Sequence, residues 1–297
     1  ANNTGIGHAA LSANTTADGN TAVGRDALGA TTTGAGNTAV GTYALDANTT
    51  AANNTAVGLD ALGANTTGTF NTASGRQALL SNTTGDNNVA VGGNALYQNT
   101  TADNNTAVGA YSLDANTTGG QNTAVGIYSL SANTDGQYNT AVGRRALLTN
   151  VGSNNNTAIG ANALYTFNVA SGNGYNTAVG KNAGFAITTG TSNTIVGALA
   201  GDSITTGANN IAIGISALDA NTTASSNTAV GSNSLGAATT GALNVAVGSN
   251  ALLTNITGTR NSALGVGALQ LNTASDNVAI GYHALDTCAG GSNNTAV

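Results

Sequence analysis

A short repeat runs through the whole chain. The glycine that closes each Asn-Thr-Ala-Val-Gly segment marks the repeat, and fourteen of the sixteen intervals between these marker glycines have the same length, that from Gly41 to Gly58. Of the two exceptions, Gly160 to Gly180 is longer by three positions and Gly265 to Gly281 is shorter by one. A chain with this period is built from one small unit stacked many times. We number the repeats from coil 1 to coil 17 by their marker glycines, which are Gly7, Gly24, Gly41, Gly58, Gly75, Gly92, Gly109, Gly126, Gly143, Gly160, Gly180, Gly197, Gly214, Gly231, Gly248, Gly265 and Gly281.

The length of the repeat, seventeen positions, limits the fold class. Helix-pair repeats need about 33 residues or more, whereas a unit half that long suits one coil of a β-solenoid with two short strands and two turns. In most repeats a β-branched residue stands three and one positions before the marker, with Ala between them, as in Thr55, Ala56 and Val57. This period of two predicts the first strand, and residues 65–68 are predicted as the second. We therefore predict an all-β parallel β-roll of about seventeen coils, with residues 1–297 as one continuous domain and a segment of a longer fibre.

Leucine is the large apolar residue that the repeat supplies regularly. It stands four positions after the marker in 15 of the 17 repeats, as at Leu62, and we expect it to fill the interior against Thr55 and Val57. That orientation leaves Ala56 on a smooth outer face. Coils 11 and 12 carry Gly184 and Gly201 in place of this Leu, which would open cavities.

Two irregular regions give specific predictions. In coils 11 and 12 we expect Ile187 and Ile204 to turn into the interior in place of the missing Leu, with help from Phe185. The three extra residues between Leu164 and Asn176 are expected to form a surface bulge that leaves the stacking of the coils unbroken.

Asparagine stands four positions before the marker in every repeat. We predict a stacked ladder in which each amide hydrogen-bonds its copy one coil away and caps the turn, rather than a ligand or glycan site. The Asn-Thr-Thr sequons, such as those at Asn65 and Asn82, arise from the same repetition and leave glycosylation undecided. The ladder is predicted at Asn20, Asn37, Asn54, Asn71, Asn88, Asn105, Asn122, Asn139 and Asn156.

The outer alanines predict a contact between chains. Seventeen coils at a spacing of about 4.8 Å give a thin rod roughly 80 Å long, and a smooth face would let further copies pack beside it. We predict a homotrimer or filament with this Ala stripe buried between chains. The stripe comprises Ala22, Ala39, Ala56, Ala73, Ala90, Ala107 and Ala124.

Composition disfavours several classes of function. The net charge is −6 with only six basic residues, so the chain lacks the basic footprint of nucleic-acid binding. No apolar run is long enough to cross a membrane, so we expect no membrane insertion by this segment. The opening residues also lack the pattern of a signal peptide.

Groups suited to catalysis are scarce. The chain has no Glu, and His8 and His283 fall in variable turn positions about sixteen coils apart. Cys288 has no His or helix end near it in the repeat, so we interpret it as a plain substitution. Asp recurs after the interior Leu, but at most once per coil, and the dense Asp and Gly runs of calcium-binding solenoids are missing. We predict no enzyme activity, no metal site and no cofactor. The recurring Asp residues are Asp46, Asp114, Asp202, Asp219 and Asp286.

The repeated core NTAVG, with variants at residues 87–92, 209–214 and 276–281, resembles the head repeat of trimeric autotransporter adhesins. Similar repeats occur in phage tail-fibre shafts, and the resemblance covers the full length of the chain. It implies a left-handed parallel β-roll, side-by-side association of three chains, and an extracellular location on a cell surface or a virion fibre. The adhesin unit is typically shorter than the unit of this chain, and the extra Asn-Thr-Thr-Gly turn is closer to the tail-fibre variants.

The sequence leaves several functions open. The first is an extracellular fibre shaft or head that displays something or mediates attachment without catalysis, with itself and a cell-surface or glycan receptor as partners. A second is an ice-binding solenoid, since Thr recurs on every coil, although an inward Thr in NTAVG would be hidden. A third is a glycan-cleaving enzyme that uses Asp202 and Asp219 on neighbouring coils, and a fourth is a self-assembling filament. Receptor recognition would fall to variable side chains such as Arg144, Arg145, Tyr128 and Tyr138.

Overall fold

The computed structural model of the protein describes residues 2–297. These residues divide into two compact units, the first of residues 2–145 and 150–152 and the second of Ala146–Thr149 and Ser153–Val297. Each unit is a parallel β-solenoid in which strands of successive coils pair side by side, and the two units together hold about seventeen coils. The solenoid fold is thereby confirmed, whereas a single continuous domain stays a prediction. No helix within residues 2–297 is long and apolar enough to cross a membrane.

The first unit contains nine short strands, one from each of coils 1 to 9. Within this unit, strands of successive coils pair in parallel, so that Thr55 lies opposite Thr72 and Ala56 opposite Ala73. The strands are β1 (Thr4–Ile6), β2 (Thr21–Val23), β3 (Thr38–Val40), β4 (Thr55–Val57), β5 (Thr72–Ser74), β6 (Val89–Val91), β7 (Thr106–Val108), β8 (Thr123–Val125) and β9 (Thr140–Val142).

The second unit repeats this arrangement and also contains the insertion. Thr157 of coil 10 pairs with Thr177 of coil 11 across the longer interval, so the stacking continues past the extra residues. The insertion is exposed at residues 170–173, which confirms the predicted bulge. The strands are β10 (Ser153–Asn154), β11 (Thr157–Ile159), β12 (Gly172–Asn173), β13 (Thr177–Val179), β14 (Thr194–Val196), β15 (Ile211–Ile213), β16 (Thr228–Val230), β17 (Val245–Val247), β18 (Ser262–Leu264), β19 (Val278–Ile280) and β20 (Thr295–Ala296).

The segment predicted as a second strand is a bend. The backbone N–H groups of Thr66 and Thr67 both donate to the carbonyl oxygen of Thr83, at 3.0 and 3.2 Å. Two consecutive N–H groups aimed at one carbonyl cannot continue a ladder in which alternate groups point to opposite sides. The Thr66 hydroxyl donates to the same oxygen, at 3.0 Å. Neighbouring coils are therefore hydrogen-bonded here as well, although a typical coil has one short strand.

The strand faces the opposite way from the prediction. Ala56 is fully buried, as is Leu62, whereas Thr55 and Val57 are exposed. The interior of so short a coil is filled by one Leu, and the strand residue facing it must therefore be small. Close packing of large against small side chains selects the Ala face for the interior and turns both β-branched columns outward.

Left-handed backbone conformations close each coil. Coil 4 contains three non-glycine residues with positive φ, Asp60 at 55°, Leu62 at 51° and Phe70 at 58°, and the same positions recur along the chain. The marker glycine has φ near 136° at Gly58, and a Cβ added there would lie 2.5 Å from the carbonyl oxygen of Gly75. Glycine is required at this position because successive coils touch there through their backbones.

The coils that lack the interior Leu are repacked as predicted. Ile187 and Ile204 are fully buried, and their Cδ1 atoms lie 3.0 and 2.8 Å from the points where Gly184 and Gly201 would carry a Cβ. Ile195, which replaces the strand Ala of coil 12, contributes from the other side and is also fully buried.

The expected contribution of Phe185 is wrong. Its ring stacks on Tyr165 of the preceding coil, with ring centroids 5.0 Å apart, and it is only partly buried. The interior is already filled by Ile187 and Ile195, so the aromatic ring has no space there.

Candidate functional site

The asparagines four positions before the marker form a ladder between coils. The backbone N–H of Asn71 donates to Asn54 Oδ1 at 2.8 Å, and Asn54 Nδ2 donates to the Gly68 carbonyl oxygen, also at 2.8 Å. Each amide therefore bonds the backbone of its copy one coil away and ties its own coil together. These side chains are buried and their hydrogen-bonding groups are occupied, as at Asn105, which is fully buried. We assign the column a structural role.

A second ladder of asparagines lies in the Asn-Thr-Thr segments of the first unit and in the equivalent segments of coils 8 and 9. Asn82 Nδ2 donates to Asn65 Oδ1 at 2.9 Å, and Asn99 Nδ2 donates to Asn82 Oδ1 at the same distance. All of its members are fully buried, so a glycan on one of these sequons is incompatible with the folded coil. The repetition of the segment was the signal that could have revealed this ladder. Its members are Asn48, Asn65, Asn82, Asn99, Asn116, Asn133 and Asn150.

The Ala stripe cannot serve as a contact between chains. All seven alanines are fully buried inside the coils of a single chain, where they face the interior leucines. The prediction failed because a period of two identifies two faces but not which of them points inward. The buried residues are Ala22, Ala39, Ala56, Ala73, Ala90, Ala107 and Ala124.

The outward strand residues form a regular surface along each unit. We call this surface, the first and third residue of each three-residue strand, the strand face. In the first unit its first column holds Thr in every strand except β6, which has Val89, and its second column is mostly Val. Side chains in each column repeat at about 4.8 Å. Val57, Val91 and Val108 keep 40%, 39% and 36% of their surface exposed.

The scattered reactive groups do not form a cluster. His8 Nδ1 lies 4.0 Å from Asp26, and His283 Nδ1 lies 3.0 Å from Asp286 Oδ2. The Cys288 thiol occupies the position of the second ladder and accepts a hydrogen bond from Asn294 Nδ2 at 3.5 Å. Within residues 2–297, no group of three or more His, Cys, Asp or Glu side chains is arranged to hold a metal ion.

The aspartates that follow the interior Leu are partly buried. Burial raises the pKa of Asp219, and the charge of Asp202 on the neighbouring coil raises it further. Burial also raises the pKa of Asp114 to about 6, an effect that the nearby backbone N–H groups of Asp114 and Ala115 partly offset. Asp114 Oδ1 is buried and meets no donor in hydrogen-bonding geometry. The fold therefore favours the protonated form of Asp114.

Replacing Asp114 should stabilise the protein in a pH-dependent way. Its pKa is about 6 in the folded chain against 3.8 when unfolded, so the folded state binds the proton more tightly and stability falls as pH rises from about 4 to 6. Asp114→Asn mimics the protonated form and should raise the free energy of unfolding by about 1 kcal/mol at pH 7.5, after discounting for solvent screening of a half-exposed group.

Urea denaturation at pH 7.5 and pH 4 measures this difference, and little change is expected at pH 4. The matched control is Asp135→Asn, since Asp135 is exposed. An equal gain at both pH values would show that charge burial is not the cause.

Comparison with known proteins gives no family for this chain. A scan against protein-family models finds no match, and a search of curated proteins finds no significantly similar sequence.

Proposed function

We propose that this chain is a segment of an extracellular fibre, on a cell surface or a virion, which displays a binding function and associates with copies of itself through the strand face. It acts as a structural element and not as an enzyme. The observation that carries the proposal is the uncovered strand face. Parallel sheets are normally covered on both sides, whereas here one side packs on the interior leucines and the other presents Thr and Val to solvent.

A second copy of the chain is the occupant that fits this face. The two outward columns repeat at the coil spacing, so another strand face with the same spacing can match it coil for coil. The face carries no charged residue in β1–β9, and exposed apolar surface of this extent marks an interaction site. We therefore place the contact of the proposed homotrimer at the strand face and not at the alanines, which are buried within each chain.

Charges on the strand face should separate the copies. We expect the parent chain to sediment as an oligomer and Val91→Arg with Val108→Arg to sediment as a monomer, because two buried unpaired guanidinium groups per chain oppose association. The matched control is Thr101→Arg with Thr118→Arg, which adds the same charges to exposed positions of the same coils. A monomeric parent, or a strand-face variant with the parent's mass, would contradict self-association.

Ice binding is the second candidate, and the orientation of Thr favours it. An inward Thr would be hidden from ice, but Thr55 and its equivalents point outward. The columns of Thr66 and Thr67 still argue against ice binding, because they are interrupted, as at Asp135 and Gly152. β-Branched side chains have few rotamers, so the columns hold hydroxyl and methyl groups in a regular array. Thermal hysteresis at micromolar protein that disappears in the Val91→Arg, Val108→Arg variant and persists in the control would favour ice binding. Absence of thermal hysteresis in the parent would exclude ice binding and leave the fibre role as the proposal.

A further inference from the structure

Most basic residues of this acidic chain occupy the same turn of the repeat, in different coils. Five of the six Lys and Arg residues stand one or two positions after a marker glycine. We call these two positions, in coils 5 to 9, the turn ridge. Its three arginines, Arg76, Arg144 and Arg145, make no ion pair with any residue that the structure describes. Arg25, at the same turn of coil 2, pairs with Asp26 at 3.0 Å.

Two tyrosines lie in the turn ridge between these arginines. The rings of Tyr111 and Tyr128 stack with centroids 5.1 Å apart and an angle of 11° between their planes. They remain 40% and 37% exposed, and Ile127 beside them is 43% exposed. The ridge thus presents aromatic and aliphatic surface next to unpaired positive charge.

Hydrogen bonds between coils fix the backbone at these residues. Tyr111 and Tyr128 have left-handed φ angles of 56° and 57°, and their N–H groups donate to the carbonyl oxygens of Gly93 and Ala110, each at 3.1 Å. The N–H of Arg145 donates to Ile127 in the same way, at 3.0 Å. A ligand would therefore meet a largely preformed surface, which reduces the entropy lost on binding.

A gap in side chains lies beside the tyrosines. One position after the marker, coils 6 and 7 carry only Gly93 and Ala110, whereas coils 5 and 9 carry Arg76 and Arg144. A Cβ added at Gly93 would meet no atom within 4 Å, so this stretch is open to solvent. The gap covers two coils, about 10 Å. It is bounded by Arg76 of coil 5 at one end and by Ile127 of coil 8 at the other, with Arg144 one coil further on.

We propose that the turn ridge binds a linear acidic polysaccharide that carries carboxylates, lying along the stack of coils. Tyrosine rings offer apolar surface to the C–H faces of sugar rings, and arginine binds carboxylates through two parallel hydrogen bonds. Asp86 and Asp103 lie beyond the Asn-Thr-Thr segment, and Asp135 lies within its equivalent, in the other turn of their coils. The turn of the ridge holds Asp114 in coil 7, and Asp60 lies in the same turn of the adjoining coil 4. Because three arginines outnumber these two aspartates, the local charge of the ridge is positive although the chain is acidic. This inference rests on the proposed display role and names its ligand class.

Oligogalacturonate is a suitable probe, because its methyl ester is the same polymer without the charges. We expect the parent chain to bind the acid form in isothermal titration calorimetry and to bind the ester at least tenfold more weakly. Arg76→Gln with Arg144→Gln, and separately Tyr111→Ala with Tyr128→Ala, should each weaken binding of the acid by about tenfold or more. Lys181→Gln is the matched control, since Lys181 occupies the same turn position in coil 11, and it should bind like the parent.

Several outcomes would overturn the proposal. They are no binding by the parent, equal binding of the acid and the ester, ridge variants that bind like Lys181→Gln, or tighter binding of single-stranded oligothymidylate than of oligogalacturonate. Circular dichroism of each variant separates loss of binding from loss of folding. Sedimentation of the same samples separates this proposal from the fibre proposal. An oligomeric parent that does not bind oligogalacturonate would refute only polysaccharide binding by the turn ridge. A monomeric parent that binds it would refute only self-association.

Discussion

Gly92→Ala is expected to destabilise the solenoid by more than about 4 kcal/mol. A Cβ at Gly92 would lie 2.6 Å from the carbonyl carbon of Gly109 and 2.7 Å from its oxygen, and φ at Gly92 is 134°. The contact is with backbone, so relief requires coils 6 and 7 to move apart, which stretches the hydrogen bonds on both sides of the marker. The conformation is also one that L-residues rarely adopt.

The adjacent glycine provides the control for this prediction. Gly93 lies in the same coil, but a Cβ there meets nothing within 4 Å and its φ is not positive. Gly93→Ala should leave stability unchanged or raise it by up to about 1 kcal/mol, because alanine restricts the unfolded chain. Urea denaturation followed by circular dichroism compares the two variants, and hydrogen exchange locates the damage. Equal stability of the two variants would refute the role assigned to the marker glycine.

Ile195→Ala should have the second-largest effect, about 3–5 kcal/mol. The Ile195 Cδ1 atom lies 3.1 Å from the points where both Gly184 and Gly201 would carry a Cβ, so it fills space in two successive coils. Gly184 and Gly201 have no side chains that could fill the resulting cavity. Thermal denaturation measures the loss, with Ile211→Ala as the control, since Ile211 is 39% exposed and its truncation should cost less than about 1 kcal/mol.

Restoring the common repeat should reverse this loss. Adding Gly184→Leu and Gly201→Leu to Ile195→Ala, with Ile187→Asn and Ile204→Asn to make room, recreates the side chains of ordinary coils. Gly184→Leu alone should destabilise by about 1–3 kcal/mol through overpacking, since Ile187 and Ile195 already occupy the space. If Ile195→Ala lowered stability no more than Ile211→Ala, the conclusion that Ile195 fills the space of the missing Leu in coils 11 and 12 would be wrong.

The length of the repeat and the side chains that fill the interior could be predicted from the sequence, but the direction in which the strand faces could not. The interior position of Leu62, the replacement of missing leucines by Ile187 and Ile204, and the bulge before Asn176 all follow from comparing repeats. The alternation of Thr55, Ala56 and Val57 shows two faces without showing which is inside. The substitution of Ala by Ile195 between Gly184 and Gly201 held the answer, because a strand residue that grows when Leu is lost must share the interior with it.

The surfaces were harder to predict than the interior. The second Asn ladder was read only as a set of sequons, because burial of Asn65 depends on where the bend at Thr66 and Thr67 aims the amide. The turn ridge combines residues from five repeats, and no single repeat contains its pattern. Arg144, Arg145 and Tyr128 are recognisable in the sequence as variable residues. The ring stack with Tyr111 and the gap at Gly93 become visible only when the coils are stacked in the structure.

The left-handed residues also determine how such a chain folds. Each coil holds two or three non-glycine residues with positive φ, such as Asp60, Leu62 and Phe70 in coil 4, and each of these residues costs about 1–2 kcal/mol of backbone energy. The first coil bears this strain with no neighbour to receive its hydrogen bonds, whereas every later coil docks on a formed template. Folding is therefore a nucleation followed by propagation along the repeats, as in a helix–coil transition. A peptide of one or two repeats should stay unfolded, and chain length rather than local sequence should set the threshold for folding.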